Sequence, residues 1–131
     1  MNKEDFLPIW IKFSGWLEII FGLMITFFMA PVFINFGVQT IPFWTQFAGI
    51  SLVFMGILLL YSARDIKVYL IIPIVSSLYR FTMVIAEIIF VITYFTVSAS
   101  LVFPILFALF YDAGSATFTL WILYDLDFLK K

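Results

Sequence analysis

Long apolar stretches separated by short polar breaks dominate the pattern of this chain. They run from about Phe6 to Met29, Phe43 to Ala63, Lys67 to Tyr94 and Leu101 to Leu123. As a helix, each is long enough to cross a hydrocarbon core about 30 Å thick, which needs about 20 apolar residues. We expect the first stretch to stop at Pro31. The pattern predicts an all-α, polytopic integral membrane four-helix bundle, with residues 1–131 as a single transmembrane domain.

A stripe of small or polar residues recurs on each predicted helix at a spacing of about 3.6 residues. The stripes comprise Gly15, Glu18, Gly22 and Thr26; Thr45, Gly49, Gly56 and Ala63; Pro73, Ser76, Ser77, Arg80, Glu87 and Tyr94; and Ala108, Asp112, Ser115 and Thr119. Small residues let helix backbones approach each other in a membrane, while lipid takes the large apolar side chains. The pattern predicts helix packing at Gly15, Gly22, Gly49, Gly56 and Gly114. The first two stretches also share F-x-G-x6-G, which is either a weak internal repeat or a coincidence.

Ionisable side chains lie inside these apolar stretches. Glu18, Arg80 and Asp112 are each near the middle of a predicted span, and Glu87 follows Arg80 by two turns, about 10 Å along the helix. A charge facing lipid at mid-bilayer costs at least ~2.5–3.5 kcal/mol. We therefore expect the four side chains to converge inside the bundle, with Arg80 paired to Asp112. Ser77, Ser115 and Thr119 are expected to support them.

The charge count of this group is unbalanced, because three carboxyl groups face one guanidinium group. Full ionisation would leave a net charge of -2 in a low dielectric, which is costly. Protonation, water, a cation or a cationic ligand would restore the balance. Three interpretations stay open: a structural lock on helix register, a polar cavity that binds a ligand or relays protons, and contacts to another subunit.

Composition supports a membrane environment and excludes several classes of site. Hydrophobic residues make up 65% of the chain and charged residues 11%, and the mean hydropathy is +1.18; soluble domains carry roughly a quarter charged residues. A net charge of -1 gives no general attraction to nucleic acid. The absence of Cys and His excludes thiol chemistry, Cys/His zinc sites and His-ligated haem. No nucleotide motif or metal-ligand spacing is present and no catalytic residue is assigned, so an enzyme is not favoured. The cofactor stays unknown, with lipid or quinone as candidates.

The distribution of lysine and arginine predicts an orientation. Apart from Arg80, the basic residues occur near both ends of the chain and at the junction of the second and third stretches, at Arg64 and Lys67, whereas the two other connections carry no charge. The positive-inside rule then places both termini in the cytoplasm. We expect the first stretch to be a retained span, since Glu4 and Asp5 dilute the positive start of a signal peptide. The expected location is a prokaryotic cytoplasmic membrane. Membrane lipids are the expected partners, with a homo-oligomer or a larger membrane complex as further ones.

The first half of the chain resembles the DoxX-like small four-span membrane proteins. The resemblance rests on Gly15, Gly22-Leu23, Pro31, Gly49, Gly56 and the "LLLYSARD" end of the second stretch. It implies a four-helix bundle and, less specifically, a lipid-like or quinone-like ligand and a link to quinone-dependent complexes. It supplies no catalytic residue.

The sequence therefore favours a membrane-embedded ligand-binding or proton/cation-coupled, transport-like bundle. The candidate ligand-binding or proton-relay residues are Glu18, Arg80, Glu87 and Asp112. The alternatives are an accessory or structural subunit of a larger membrane complex, with a redox or quinone link, and an intramembrane enzyme acting on a lipid or quinone.

Overall fold

Helices joined by short connections make up the structure, a computed structural model that describes residues 3–96 and 99–129. They are α1 (Lys3–Met24), a π-helical turn (Ile25–Met29), α2 (Ala30–Asn35), α3 (Pro42–Ser62), α4 (Ile71–Tyr94) and α5 (Ala99–Asp125). The described residues contain no strand, so the predicted all-α class is confirmed. Within them, four helical segments are long and apolar enough to cross a membrane: Glu4–Asn35, Pro42–Ser62, Ile71–Tyr94 and Ser100–Asp125.

The chain divides into two compact units, Met1–Val68 and Tyr69–Lys131. In the first unit, α1, the π-helical turn and α2 follow one another and pack against α3. In the second unit, α4 packs against α5. The assembly of all these helices into one bundle stays a prediction.

The first helical path is longer than the sequence pattern predicts. It does not stop at Pro31 but continues to Asn35, because Pro31 lies in the first turn of α2, where its missing N–H is tolerated. The π-helical turn just before it changes the hydrogen-bond register, as a one-residue bulge does. Conversely, α4 begins at Ile71 rather than at Lys67.

Two pairs of glycines bring α1 and α3 into backbone contact. A Cβ added to Gly22 would lie 2.6 Å from the carbonyl oxygen of Gly49 and 2.7 Å from Cγ2 of Val53. A Cβ added to Gly15 would lie 2.8 Å from the carbonyl oxygen of Gly56. Real Cβ atoms do not approach this closely, so glycine is required at these contacts. The helices run antiparallel, and the equal spacing in F-x-G-x6-G matches Gly15 to Gly56 and Gly22 to Gly49. Packing therefore accounts for the shared pattern.

Among the described residues, Gly114 does not make the packing contact predicted for it. It is exposed on α5, and a Cβ built there would meet no atom of the described residues within 4 Å. Small residues occur on more than one face of α5, so their spacing alone did not identify the contact face.

The burial pattern of α4 is the reverse of that in a water-soluble helix. Large apolar side chains such as Ile85 and Ile92 are 61% and 74% exposed. Lipid is the solvent that suits such a surface. The buried residues of α4 are Pro73, Ser76, Ser77, Arg80 and Glu87.

Candidate functional site

A buried ion pair joins α4 to α5. Arg80, which is 3% exposed, donates from Nη1 to Oδ1 of Asp112 at 3.1 Å. The same nitrogen donates to Oγ of Ser115 at 2.6 Å. Hydrogen bonds between a charged donor and a carboxylate are about twice as strong as neutral ones. The predicted pairing of Arg80 with Asp112 is confirmed.

The spacing of polar residues on α5 places the two acceptors of Arg80 together. Asp112 and Ser115 are three residues apart, so they lie on one helix face. The Ser115 hydroxyl also donates to the carbonyl oxygen of Asp112 at 3.3 Å. Thr119 continues the face, and its Oγ1 donates to the carbonyl oxygen of Ser115 at 2.8 Å. Ser115 therefore supports the ion pair directly, while this bond of Thr119 supports the helix backbone.

Ser77 lies one turn before Arg80 on α4 and is buried. Its Oγ donates to the carbonyl oxygen of Pro73 at 2.9 Å. The hydroxyl proton of Ser77 is therefore donated within α4, to the carbonyl oxygen of a proline that has no backbone N–H of its own. The predicted support of Arg80 by Ser77 stays a prediction.

Tyr111 belongs to the site, although the sequence pattern did not identify it. The guanidinium carbon of Arg80 lies 5.1 Å from the centroid of the Tyr111 ring. A cation over an aromatic face at this distance is stabilised by up to about 2 kcal/mol when desolvated. Aromatic residues make up 21% of the chain, so nothing in the sequence distinguished this ring from the others.

Glu87 is a buried acid of α4 that the ion pair does not account for. Its side chain is buried, with 9% exposed, and Oε2 has no hydrogen-bond partner among the described residues. The carboxylate of Asp112 acts on it electrostatically and repels a second negative charge. The residues one turn away on α4, which the sequence places at Met83, Val84, Phe90 and Val91, have no side-chain hydrogen-bond donor.

Glu18 belongs to the first unit and is 2% exposed in α1. It lies between Gly15 and Gly22, the positions where α1 approaches α3. Its burial fits the expectation that it does not face lipid. The convergence of Glu18 with the charged residues of α4 and α5 stays a prediction.

The charges of α4 and α5 do not cancel. Arg80 is the only basic residue in the sequence of the two helices, and Asp112 neutralises it. An ionised Glu87 would leave one uncompensated negative charge at a buried position, which is expensive in a low dielectric. The described residues contain no group of three or more His, Cys, Asp or Glu side chains that could hold a metal ion. The arrangement therefore combines an ion pair with a buried carboxyl group whose Oε2 has no hydrogen-bond partner among the described residues.

No protein-family model, curated protein or solved structure matches the chain. The fold and site define an all-helical protein with apolar helices long enough to cross a membrane and a buried ion pair. The resemblance to the DoxX-like proteins stays a prediction.

Proposed function

We propose that the chain is a small integral membrane protein, related to the DoxX-like four-span group, whose polar cluster binds a ligand or couples to the movement of a proton or cation. The cluster consists of Arg80, Glu87, Tyr111, Asp112 and Ser115, and is called the polar cluster below. The apolar surfaces of the long helices and the inverted burial of α4 support the membrane location.

The observation that carries this proposal is the buried Oε2 of Glu87, which has no hydrogen-bond partner among the described residues. A salt bridge that only locks two helices together needs one acid and one base. Arg80 and Asp112 already meet that need. Glu87 adds a second acid, at the cost of burying a carboxyl oxygen that receives no hydrogen bond from the described residues. The presence of an acid at this position is explained if the Glu87 carboxyl group exchanges a proton or a counter-ion.

Intramembrane acids commonly serve as proton-relay or ion-binding groups. In the proposed orientation both termini and the connection 63–70 face the cytoplasm. Glu87 then lies about two turns from the ion pair toward the opposite surface. A proton or ligand arriving from that surface would reach Glu87 before Arg80.

An accessory role in a larger membrane complex is the second candidate, and the exposed face of α5 favours it. A shallow depression of about 520 Å³ is lined there by Ala113, Gly114, Thr117, Phe118 and Trp121. Small residues at exposed positions of a membrane helix allow another helix to approach closely. Gentle extraction followed by mass measurement of the intact particle separates the two roles. A particle containing a different protein would support the accessory role.

Infrared spectroscopy of the protein in lipid nanodiscs tests the leading proposal. We expect a carboxyl C=O band that appears on acidification, disappears on alkalinisation and is missing from Glu87→Gln. Glu4→Gln, which alters an exposed acid of α1, is the matched control and should keep the band. Helix content and gel filtration show that each variant is folded. The proposal would be refuted if the folded wild-type protein showed no pH-dependent carboxyl band, or showed one that remained in Glu87→Gln.

A further inference from the structure

We infer that the ligand of the polar cluster is a lipophilic organic monocation, of the quaternary ammonium or phosphonium type, which binds at Glu87 in exchange for a proton. This inference rests on the proposed function and adds the chemical class of the ligand. Three features of the second unit lead to this inference: the charge count of the polar cluster, the side chains beside Glu87 on α4, and an aromatic ring pair on the following turns of α4.

The charge count favours a ligand with one positive charge. In the polar cluster, Arg80 supplies one positive charge and Asp112 one negative charge, joined across 3.1 Å. Glu87 contributes the remaining negative charge when it is ionised. A single positive charge brings the three side chains to neutrality, whereas a dication would leave an excess charge in a low dielectric.

The side chains around Glu87 do not suit a metal ion. Magnesium and calcium are held by six or more oxygen ligands, from protein or water. The residues one turn either side of Glu87 are apolar. The hydroxyls of Thr82 and Thr93 lie on the exposed side of α4 and donate to the carbonyl oxygens of Leu78 and Ile89. A proton or an organic cation needs no such shell of oxygen atoms.

Aromatic rings follow Glu87 on the next turns of α4. Phe90 and Tyr94 have ring centroids 4.6 Å apart, with their planes tilted by 34°. They come three and seven residues after Glu87, so the helix places them one and two turns further along, near the same face. Aromatic faces attract organic cations, and quaternary ammonium groups are commonly held in this way. Arg80 shows the same combination inside the cluster, since it is a cation held by the carboxylate of Asp112 and the ring of Tyr111.

The exchange conserves charge. Before binding, the Glu87 carboxyl group carries its proton, and the polar cluster is neutral. As the cation binds, the O–H bond of the carboxyl group breaks, the proton leaves to water, and the carboxylate pairs with the cation. The cluster is neutral again, so neither state buries an isolated charge.

Titration calorimetry with tetraphenylphosphonium chloride tests this inference on the full chain in lipid nanodiscs. Measurements at one pH in two buffers that differ in ionisation enthalpy give the number of protons released, and empty nanodiscs give the partition of the cation into lipid. At a pH where the infrared band shows Glu87 protonated, we expect saturable binding with release of one proton for each cation bound. Sodium or potassium chloride at equal ionic strength should not compete.

Variants locate the binding. Glu87→Gln should weaken binding by at least about tenfold, or about 1.4 kcal/mol, and abolish proton release. Glu87→Asp keeps a carboxyl group and should retain proton release with weaker binding. Glu4→Gln should behave as the wild type.

Two results would overturn the inference: no saturable binding above that of empty nanodiscs, or binding without proton release that persists in Glu87→Gln. The proton count is measured on the wild-type protein, so it does not depend on the folding of a variant. If Glu87 gives its infrared band but the protein binds no tetraphenylphosphonium, the inferred ligand class is wrong. The proposed function is then retained as coupling to a proton only. If the infrared band is absent, the proposed function itself fails.

Discussion

Arg80 and Asp112 face each other from α4 and α5, with Nη1 of the arginine 3.1 Å from Oδ1 of the aspartate. This contact assigns different roles to the two acids of the polar cluster. Asp112 is the counter-ion of a guanidinium group that stays charged. Glu87 is buried and lies two turns along α4 from Arg80. Arg80 is the only basic residue in the sequence of α4 and α5, so these helices supply no second base to pair with Glu87.

The ion pair gives the first prediction. Asp112→Asn removes the carboxylate partner of a buried guanidinium group and should lower the free energy of unfolding by about 3–5 kcal/mol. The double variant Arg80→Met, Asp112→Leu removes both charges and should be more stable than Asp112→Asn. Unfolding in mixed detergent micelles measures both changes. A double variant that is less stable than Asp112→Asn would contradict this account of the pair.

Ser115 provides a smaller test of the same contact. Ser115→Ala removes the oxygen that accepts from Arg80 at 2.6 Å and should cost about 1.5–3 kcal/mol, as for hydrogen bonds to charged groups. Thr82→Val is the control, because its hydroxyl is exposed and bonds only to a carbonyl oxygen of its own helix. It should change stability by less than about 0.5 kcal/mol. Equal losses of stability in the two variants would show that the hydrogen bond from Arg80 to Ser115 contributes no more than a bond within one helix.

The glycine contacts of the first unit give a third prediction. Gly22→Ala and Gly49→Ala each place a Cβ against backbone atoms of the facing helix and should destabilise the fold by about 1–3 kcal/mol. Gly114→Ala meets open space and should be neutral or stabilise by up to about 1 kcal/mol, because alanine restricts the unfolded chain. Thermal unfolding of the three variants in one detergent compares them. Destabilisation by Gly114→Ala of the same size would contradict the assignment of its face.

The orientation can be tested because the chain has no cysteine, so single cysteines can be introduced without a background. Gln39→Cys and Val68→Cys both lie at exposed positions in connections between helices. In intact cells a membrane-impermeant maleimide should label Gln39→Cys. Val68→Cys should react only after the membrane is permeabilised, because the positive-inside rule places its connection in the cytoplasm. The reverse pattern would invert the proposed topology.

The depth of the charged residues in the predicted spans and the spacing of the small residues made part of the structure predictable from the sequence. Arg80 and Asp112 were paired because each lies near the middle of its span, and buried charges in a membrane seek partners. The glycines of α1 and α3 were placed at a helix contact because small residues repeat on one face. Both inferences depend only on helix periodicity.

Other features depend on side-chain positions that periodicity does not determine. Tyr111 joins the site through the position of its ring over Arg80, and a Cβ at Gly114, a predicted packing residue, would meet no atom of the described residues within 4 Å. The helical path continued past Pro31 because that proline lies in the first turn of α2, after a π-helical turn that no residue pattern indicated. The sequence showed that the candidate site has more acids than bases, but only the structure showed that in the polar cluster Glu87 is the surplus one.

Labelling with dicyclohexylcarbodiimide tests the central claim most directly, namely that Glu87 exchanges its proton while Arg80 holds Asp112 ionised. This apolar reagent reacts with protonated carboxyl groups in apolar surroundings, and mass spectrometry of peptides locates the adduct. We predict that, of the two acids, the wild-type protein in lipid is labelled at Glu87 and not at Asp112, and that labelling declines as the pH is raised. Labelling of Asp112 in place of Glu87 would contradict the account.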